Sequence, residues 1–514
     1  MSPAESLDDE LDALRSVSHG ALLSIGGVSL QKLLLFLTNL ALTATLSVSL
    51  YGVYALGNRI VKILLQFGSL GSNAALVRFL PEYRDDPARQ DRVLGIAYTT
   101  AFVASLLIAG AVVLAADRIN ALTVAHPAFP LVLRLFAVLL PFDVFVRLLA
   151  FLFRALELPE YQVFIRRVAR PGVRLAAVGV ALLAGFSLTG VVGALVVATA
   201  VVAAAALWLS LSRTDLRPTL DPSRDEAAEF YNHAGPNTLS RFGKLFQSRI
   251  DVLLIGLLLT ADAAGIYNLT LFLTSIIAIP LIAFNQLLPA VASRLYADGK
   301  RGMLNSVYST VTRLVFTGTI VLAVTQFVYR GELLALFGEE YTRGSLVLAT
   351  FVVGRIVANA VGATGWLLLM TDHQYLRMVN SWVLGGLNVA FSYYFILEFG
   401  LIGAALGTAG SMAIVNLVRL SQLWYLERLQ PFDATFLKPL GAGAAMTATM
   451  LGVKPLLSGT PLLVFGTLAG IVAFVGTLYL LGIEDRDRRI VGALLDQYRA
   501  GDGTLVRAIR RVRG

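Results

Sequence analysis

The sequence predicts an all-α polytopic membrane protein with fourteen transmembrane helices, arranged as two six-helix lobes followed by two C-terminal helices. Three observations lead to this prediction: an apolar composition, long uncharged segments, and an internal match at a constant offset. Hydrophobic residues make up 57% of the 514 positions and charged residues only 15%, whereas soluble domains carry about 25% charge. Most of this chain is therefore expected to lie in lipid.

The apolar segments are each long enough to cross ~30 Å of hydrocarbon as a helix. Their predicted ranges are 19–46, 51–78, 92–115, 127–152, 160–185, 188–211, 232–260, 263–291, 303–328, 344–370, 374–397, 401–425, 433–453 and 460–482. The longest connection between them contains Pro218, Pro222 and many charges. That composition is typical of a linker between two lobes.

An internal match relates the two halves of the chain. The run GIYNL at 265–269 corresponds to GVYAL at 52–56, and Gly403 corresponds to Gly190 at the same offset of 213 positions. Two separate matches at one offset indicate a duplicated unit. Because the offset spans six helices, an even number, both copies cross the membrane in the same direction, which is a parallel repeat.

Loop charges predict the orientation in the cytoplasmic (plasma) membrane. Loops after even-numbered helices hold many cations, among them Arg84, Arg213 and Arg301, whereas loops after odd-numbered helices hold few. By the positive-inside rule both termini are cytoplasmic. The predicted organisation is a cytoplasmic N-terminal segment (1–18), a first lobe (19–211), a cytoplasmic linker (212–231), a second lobe (232–425), helices 13 and 14 (433–482) and a basic cytoplasmic tail (483–514).

Charged side chains inside membrane segments are expensive to bury, so each is a candidate functional residue. Arg59 and Lys62 share a face of the second helix ~12–17 Å past Tyr51, and no acid lies on that helix. We expect a wet cavity between the lobes that binds substrate. Its first set of candidates is Lys32, Arg59, Lys62, Arg241, Lys244, Arg249 and Asp251, and its second is Gln31, Arg147, Asn285, Arg355 and Asn359.

Purely structural roles remain open for several of these residues. Arg241 and Lys244 could extend to lipid headgroups at the end of the seventh helix. Arg249 and Asp251 could form an ion pair between helices. Arg147 could pair with the other charges of the fourth helix or reach the cytoplasmic surface.

The sequence contains no pattern for catalysis, for a cofactor or for a metal site. Its four histidines are scattered, it has no cysteine, and no glycine-rich phosphate loop follows a strand. The net charge of +9 is a signal of topology rather than of nucleic-acid binding. We therefore expect a protein that is not an enzyme and that binds neither metal nor nucleic acid.

The C-terminal tail has helical spacing. Ile490, Val491, Leu494, Leu495 and Tyr498 recur at that spacing beside arginines. This predicts an interfacial helix on the cytoplasmic leaflet that is attracted to anionic lipid. A disordered tail is the alternative.

Three short motifs resemble those of the Wzx-type polysaccharide flippases. They are Val77-Arg78-Phe79-Leu80-Pro81-Glu82-Tyr83, Arg249-Ile250-Asp251 followed by Gly265-Ile266-Tyr267, and the run 399–405 (FGLIGAA). These flippases belong to the multidrug/oligosaccharidyl-lipid/polysaccharide exporter superfamily, and the resemblance covers the whole chain, including its 6+6+2 division.

The resemblance implies a flippase that moves a polyprenyl-phosphate-linked oligosaccharide to the outer leaflet by alternating access, for cell-surface polysaccharide or glycoprotein assembly. The excess of cavity cations over acids suits an anionic lipid-linked glycan. A peptidoglycan-precursor (lipid II) flippase or a multidrug antiporter remains an alternative within the superfamily, and a polytopic glycan polymerase or ligase is a distant one. The sequence identifies neither the glycan, the lipid carrier, a coupling ion nor the oligomeric state.

Overall fold

The computed structural model describes residues 26–221, 223–245, 250–285 and 288–482, and these residues are largely helical with no β-strand. Eight of the described helical stretches are long and apolar enough to cross a membrane. An all-helical chain with several candidate spans is thereby confirmed. The count of fourteen helices and the two-lobe repeat stay predictions.

The helices up to residue 297 are α1 (Gly26–Thr45), α2 (Val48–Leu64), α3 (Ser72–Glu82), α4 (Pro87–Leu122), α5 (Phe129–Ala155), α6 (Pro159–Phe164), α7 (Arg170–Leu183), α8 (Leu188–Arg213), α9 (Arg224–Leu245), α10 (Ile250–Leu258), α11 (Ala261–Ile277), α12 (Ile279–Phe284) and α13 (Leu288–Ala297). The later helices are α14 (Arg301–Val328), α15 (Arg330–Ala335), α16 (Ser345–Ala360), α17 (Thr364–Met370), α18 (Gln374–Glu427), α19 (Leu437–Val453), α20 (Gly459–Pro461) and α21 (Thr467–Leu480). Short π segments at Ile165–Ala169 and Leu462–Gly466 and 3₁₀ turns at Glu339–Gly344 and Ala434–Phe436 complete the described structure.

Two compact units divide the chain. One is formed by Leu30–Asn268, and the other contains the described residues from Leu269 onward. The N-terminal segment, the basic tail and the predicted tail helix lie outside the described residues.

Helix α5 forms the centre of the first unit. It packs against α2, α3, α4 and α8, and its side chains are apolar around most of the circumference. Leu133, Leu140, Leu149 and Phe153 are fully buried. A helix that is apolar on all sides is stable where other helices surround it, which explains the central place of α5.

A π segment separates α6 from α7 within the predicted fifth helix. Pro171, next to the first residue of α7, has no N–H to donate, and its ring crowds the carbonyl four residues earlier. Widening the preceding turn to a π conformation at Ile165–Ala169 accommodates this loss. The helix continues beyond the bulge and carries Arg170 and Arg174 on its first turns.

Helix α18 in the second unit consists of two antiparallel arms. Its backbone leaves helical geometry at Gly400, with φ 58° and ψ −131°, between the predicted ranges 374–397 and 401–425. The arms then face each other, because Asn388 donates to Thr408 Oγ1 and Asn380 donates to Gln422 Oε1 at 2.6 Å. Helices α16 and α17 pack against this hairpin.

Candidate functional site

Charged and polar side chains from α2, α5 and α7 meet within the first unit. Arg174 of α7 donates to the hydroxyl of Tyr54 and, at 3.5 Å, to Asn58 Oδ1, both on α2. Arg170, one turn earlier, donates to Asp143 Oδ2 of α5 at 2.5 Å. We call Lys62, Arg170, Arg174 and Asp143 the basic cluster.

Local sequence spacing explains how these side chains come together. Tyr54, Asn58 and Lys62 recur every four residues along α2, so they lie on one face. Arg170 and Arg174 have the same spacing on α7. Both stripes approach α5, whose Asp143 is the acid of the cluster.

The cluster carries more positive than negative charge. Asp143 pairs with Arg170, and its side chain is only 7% exposed. Lys62 makes no hydrogen bond or ion pair with any residue that the structure describes, and the guanidinium groups of Arg174, Arg59 and Arg170 act electrostatically on its ammonium. Three cations and one carboxylate leave two positive charges uncompensated. An anion near Lys62 would offset them.

Space beside the cluster is limited. A cavity of about 20 Å³ is lined by Asp143, Arg170 and Arg174 together with apolar residues of α5 and α8, which is room for about one water molecule. Lys62 itself is exposed. The ammonium of Lys62 is thus the accessible cation of the cluster, whereas the small cavity lies beside the ion pair between Arg170 and Asp143.

The first set of predicted site residues is distributed as follows. Lys62 is a member of the basic cluster, and Arg59 is close enough to act electrostatically on it. Lys32 is partly exposed on α1. Asp251 is fully buried and accepts a hydrogen bond of 2.6 Å from the hydroxyl of Tyr267.

The structure does not describe the side chains of three predicted site cations in the seventh helix. Arg249 lies outside the described residues. Arg241 and Lys244 belong to the described backbone of α9, but their side chains lie outside the description. Their role in a site stays a prediction.

The second set of candidates occupies both units. Asn359 is fully buried and donates to the carbonyl of Ile277 at 3.1 Å and to Thr319 Oγ1 at 2.9 Å, so it joins three helices of its unit. Asn285 Oδ1 is buried and accepts no hydrogen bond from the described residues. Gln31, Arg147 and Arg355 are partly exposed.

Arg170 and Arg174 were not among the predicted site residues. The spacing of four between Arg170 and Arg174 could have indicated a polar face. Their partners on α2 and α5, however, are distant in sequence and are defined only by the fold.

Charged residues also join α4 to the start of α9. Arg92 donates to both carboxylate oxygens of Glu226 at 2.8–3.0 Å, and Arg89 donates to Glu229 at 2.9 Å. Glu226 also completes a capping box with Ser223, each accepting from the other's backbone N–H. The hydrogen bonds from Arg92 hold the pKa of the Glu226 carboxyl below its usual range, although burial opposes them.

Comparison with known proteins identifies the family. The family model described as polysaccharide biosynthesis protein matches residues 17–295, and this confirms the predicted resemblance. A curated relative, the probable low-salt glycan biosynthesis flippase Agl15 of Haloferax volcanii, is 27% identical over 38% of this chain and 41% of its own length. The chain spans about half the length of the curated relatives that it matches.

Two solved structures share the fold. The lipid II flippase MurJ in an inward closed conformation is 12% identical, with a TM-score of 0.72 over 90% of this chain and 98% of that chain. A multidrug resistance MATE family transporter of the MOP superfamily is 14% identical, with a TM-score of 0.67 over 79% of this chain and 98% of that chain. Identities this low establish the fold alone. Because the family model covers more than half of the sequence, the chain belongs to the polysaccharide biosynthesis protein family.

Proposed function

We propose that this protein is a flippase that moves a polyprenyl-phosphate-linked oligosaccharide from the inner to the outer leaflet of the cytoplasmic membrane by alternating access. The family, the relative named as a glycan biosynthesis flippase and the transporter fold support this proposal. The same proposal includes fourteen spanning helices in two six-helix lobes plus two, with both termini in the cytoplasm and no catalytic activity.

The basic cluster is the observation that carries the proposal. A phosphate-bearing lipid presents negative charge at the junction of its sugar and its apolar chain, and arginine binds phosphate through paired N–H donors. Lys62 is exposed and has no partner among the described residues. We assign it the first contact with the substrate phosphate, with Arg174 and Arg170 behind it.

Asp143, the acid of the basic cluster, has a different role. Asp143 holds Arg170 through a short ion pair, and Tyr54 and Asn58 hold Arg174. These contacts fix both guanidinium groups before substrate arrives, which lowers the entropy lost on binding. Arg59, Arg241, Lys244 and Arg249 remain proposed members of the same substrate path.

Proteoliposomes containing the purified protein and a lipid-linked oligosaccharide test this function. The measurement is the rate at which the glycan becomes accessible to a glycosidase outside the vesicles, compared with vesicles that contain no protein. We expect the protein to accelerate this exposure and Lys62→Gln to slow it. Equal rates with and without the protein would contradict a flippase, and a change in glycan length would instead indicate a polymerase or ligase.

A further inference from the structure

Two arginines of α18 meet beside the short helix α17 in the second unit. The guanidinium carbon of Arg377, on the first arm, lies 4.7 Å from the ring centroid of Trp366. Arg419, on the second arm, brings Nη1 within 3.6 Å of the point that a Cβ on Gly365 would occupy. Since Gly365 and Trp366 are consecutive, the two cations approach the same turn, and Arg377 acts electrostatically on Arg419.

Neither guanidinium is neutralised by the part of the chain that the structure describes. Arg377 and Arg419 make no side-chain hydrogen bond or ion pair with the described residues, and Arg419 Nε is buried without a partner among them. Arg419 lies eight residues before the end of α18, or about 12 Å along the axis. Two neighbouring like charges in a candidate membrane span are costly unless an anion accompanies them.

An apolar groove runs next to this pair between the two arms. Its volume is about 510 Å³, and Leu376, Leu417, Val418, Tyr425 and Leu426 line it with two polar neighbours. Leu376 and Val418 directly precede the two arginines in sequence. Each arginine is therefore the chain neighbour of a groove residue, and a ligand with an anionic head for the pair and an apolar chain for the groove suits this combination.

We propose that Arg377 and Arg419 bind the phosphate of an anionic phospholipid of the surrounding membrane, whose acyl chain occupies the groove. Arginine forks match phosphate oxygens, and the groove would stay empty if the ligand were a free anion. The inference goes beyond the proposed function, because the pair belongs to the second unit and the basic cluster to the first.

Native mass spectrometry with phosphatidylglycerol and phosphatidylcholine tests the site. We expect the wild type to retain phosphatidylglycerol preferentially, and the double variant R377Q/R419Q to lose at least about tenfold in affinity, the equivalent of losing a single charge-assisted hydrogen bond. The matched control R294Q/R428Q removes two other arginine charges from the same unit. It should retain the preference.

A second variant separates the groove from the charges. Ser421→Trp fills the groove without removing either arginine, and it should weaken retention of phosphatidylglycerol. If both double variants lose the same affinity for phosphatidylglycerol, the preference depends on net charge alone. That result would overturn the proposed site. Displacement of the lipid by inorganic phosphate alone, or by polyprenyl phosphate at equimolar concentration, would also overturn the phospholipid assignment.

The transport assay distinguishes binding of phospholipid from transport of the lipid-linked glycan. R377Q/R419Q should still expose lipid-linked glycan in proteoliposomes, because the basic cluster is intact. Loss of transport with unchanged phosphatidylglycerol binding would reassign the two arginines to the substrate path.

Discussion

Gly52 and Gly265 face each other where α2 crosses α11. A Cβ on Gly265 would lie 3.1 Å from the backbone nitrogen of Gly52, and a Cβ on Gly52 would lie 1.8 Å from the carbonyl oxygen of Ala261. These two glycines are also the pair that the 213-residue offset relates. The crossing thus depends on the absence of side chains at both positions.

Substitution of Gly52 by alanine should destabilise the first unit. The added methyl group would overlap backbone atoms that belong to α11, so the helices must separate, at a cost of about 1–3 kcal/mol. Thermal unfolding in detergent measures the effect. Gly193→Ala is the control, because nothing lies within 4 Å of the added methyl, and equal unfolding temperatures for both variants would contradict the close crossing.

Replacement of Arg174 by glutamine should slow glycan exposure in proteoliposomes by about 10- to 100-fold, the equivalent of one charge-assisted hydrogen bond. Arg174→Lys should retain part of the rate, because the charge survives but the planar fork is lost. Arg118→Gln, at an exposed position, is the control. A folded Arg174→Gln variant with the control's rate would remove Arg174 from the substrate site.

Because of the contact between Arg92 and Glu226, the stability of the fold should depend on pH in the acidic range. The pKa of Glu226 is lower in the folded protein, so its stabilising contribution is present above the unfolded pKa of about 4.3. The contribution is lost as the pH falls through the folded value. At pH 7, Glu226→Gln should lower the unfolding midpoint by about 2–4 °C.

Midpoints measured between pH 7 and pH 3 test this dependence. The difference between wild type and Glu226→Gln should shrink below about pH 4. Glu339→Gln, which removes an exposed carboxylate, is the control. A difference that stays constant over the whole range would show that the charge of Glu226 does not stabilise the fold.

Gly400→Ala should strain the junction between the two arms of α18. The backbone there has φ 58° and ψ −131°, a conformation that is essentially restricted to glycine and that should cost alanine about 1–3 kcal/mol. Gly410→Ala places the same methyl group inside a helix with nothing within 4 Å. Limited proteolysis should cut the Gly400 variant faster, and equal cleavage of both variants would contradict this role.

Part of the candidate site followed from sequence. Arg59 and Lys62 were predicted as site residues because a cation in an apolar helix without a nearby acid requires a ligand or water. The spacing of Tyr54, Asn58 and Lys62 likewise indicates one face of α2. These are properties of a single helix, and the helical period of 3.6 residues is enough to predict them.

The sequence alone is enough to predict a helical, apolar chain, because continuous uncharged segments in lipid must satisfy their own backbone hydrogen bonds. It also singled out Gly52 and Gly265 through their offset. Only the folded chain shows that Arg170 pairs with Asp143, that Arg174 pairs with Tyr54, and that Arg377 and Arg419 meet beside Gly365. Each of these pairs joins different helices, and their approach depends on helix packing, which no local spacing specifies.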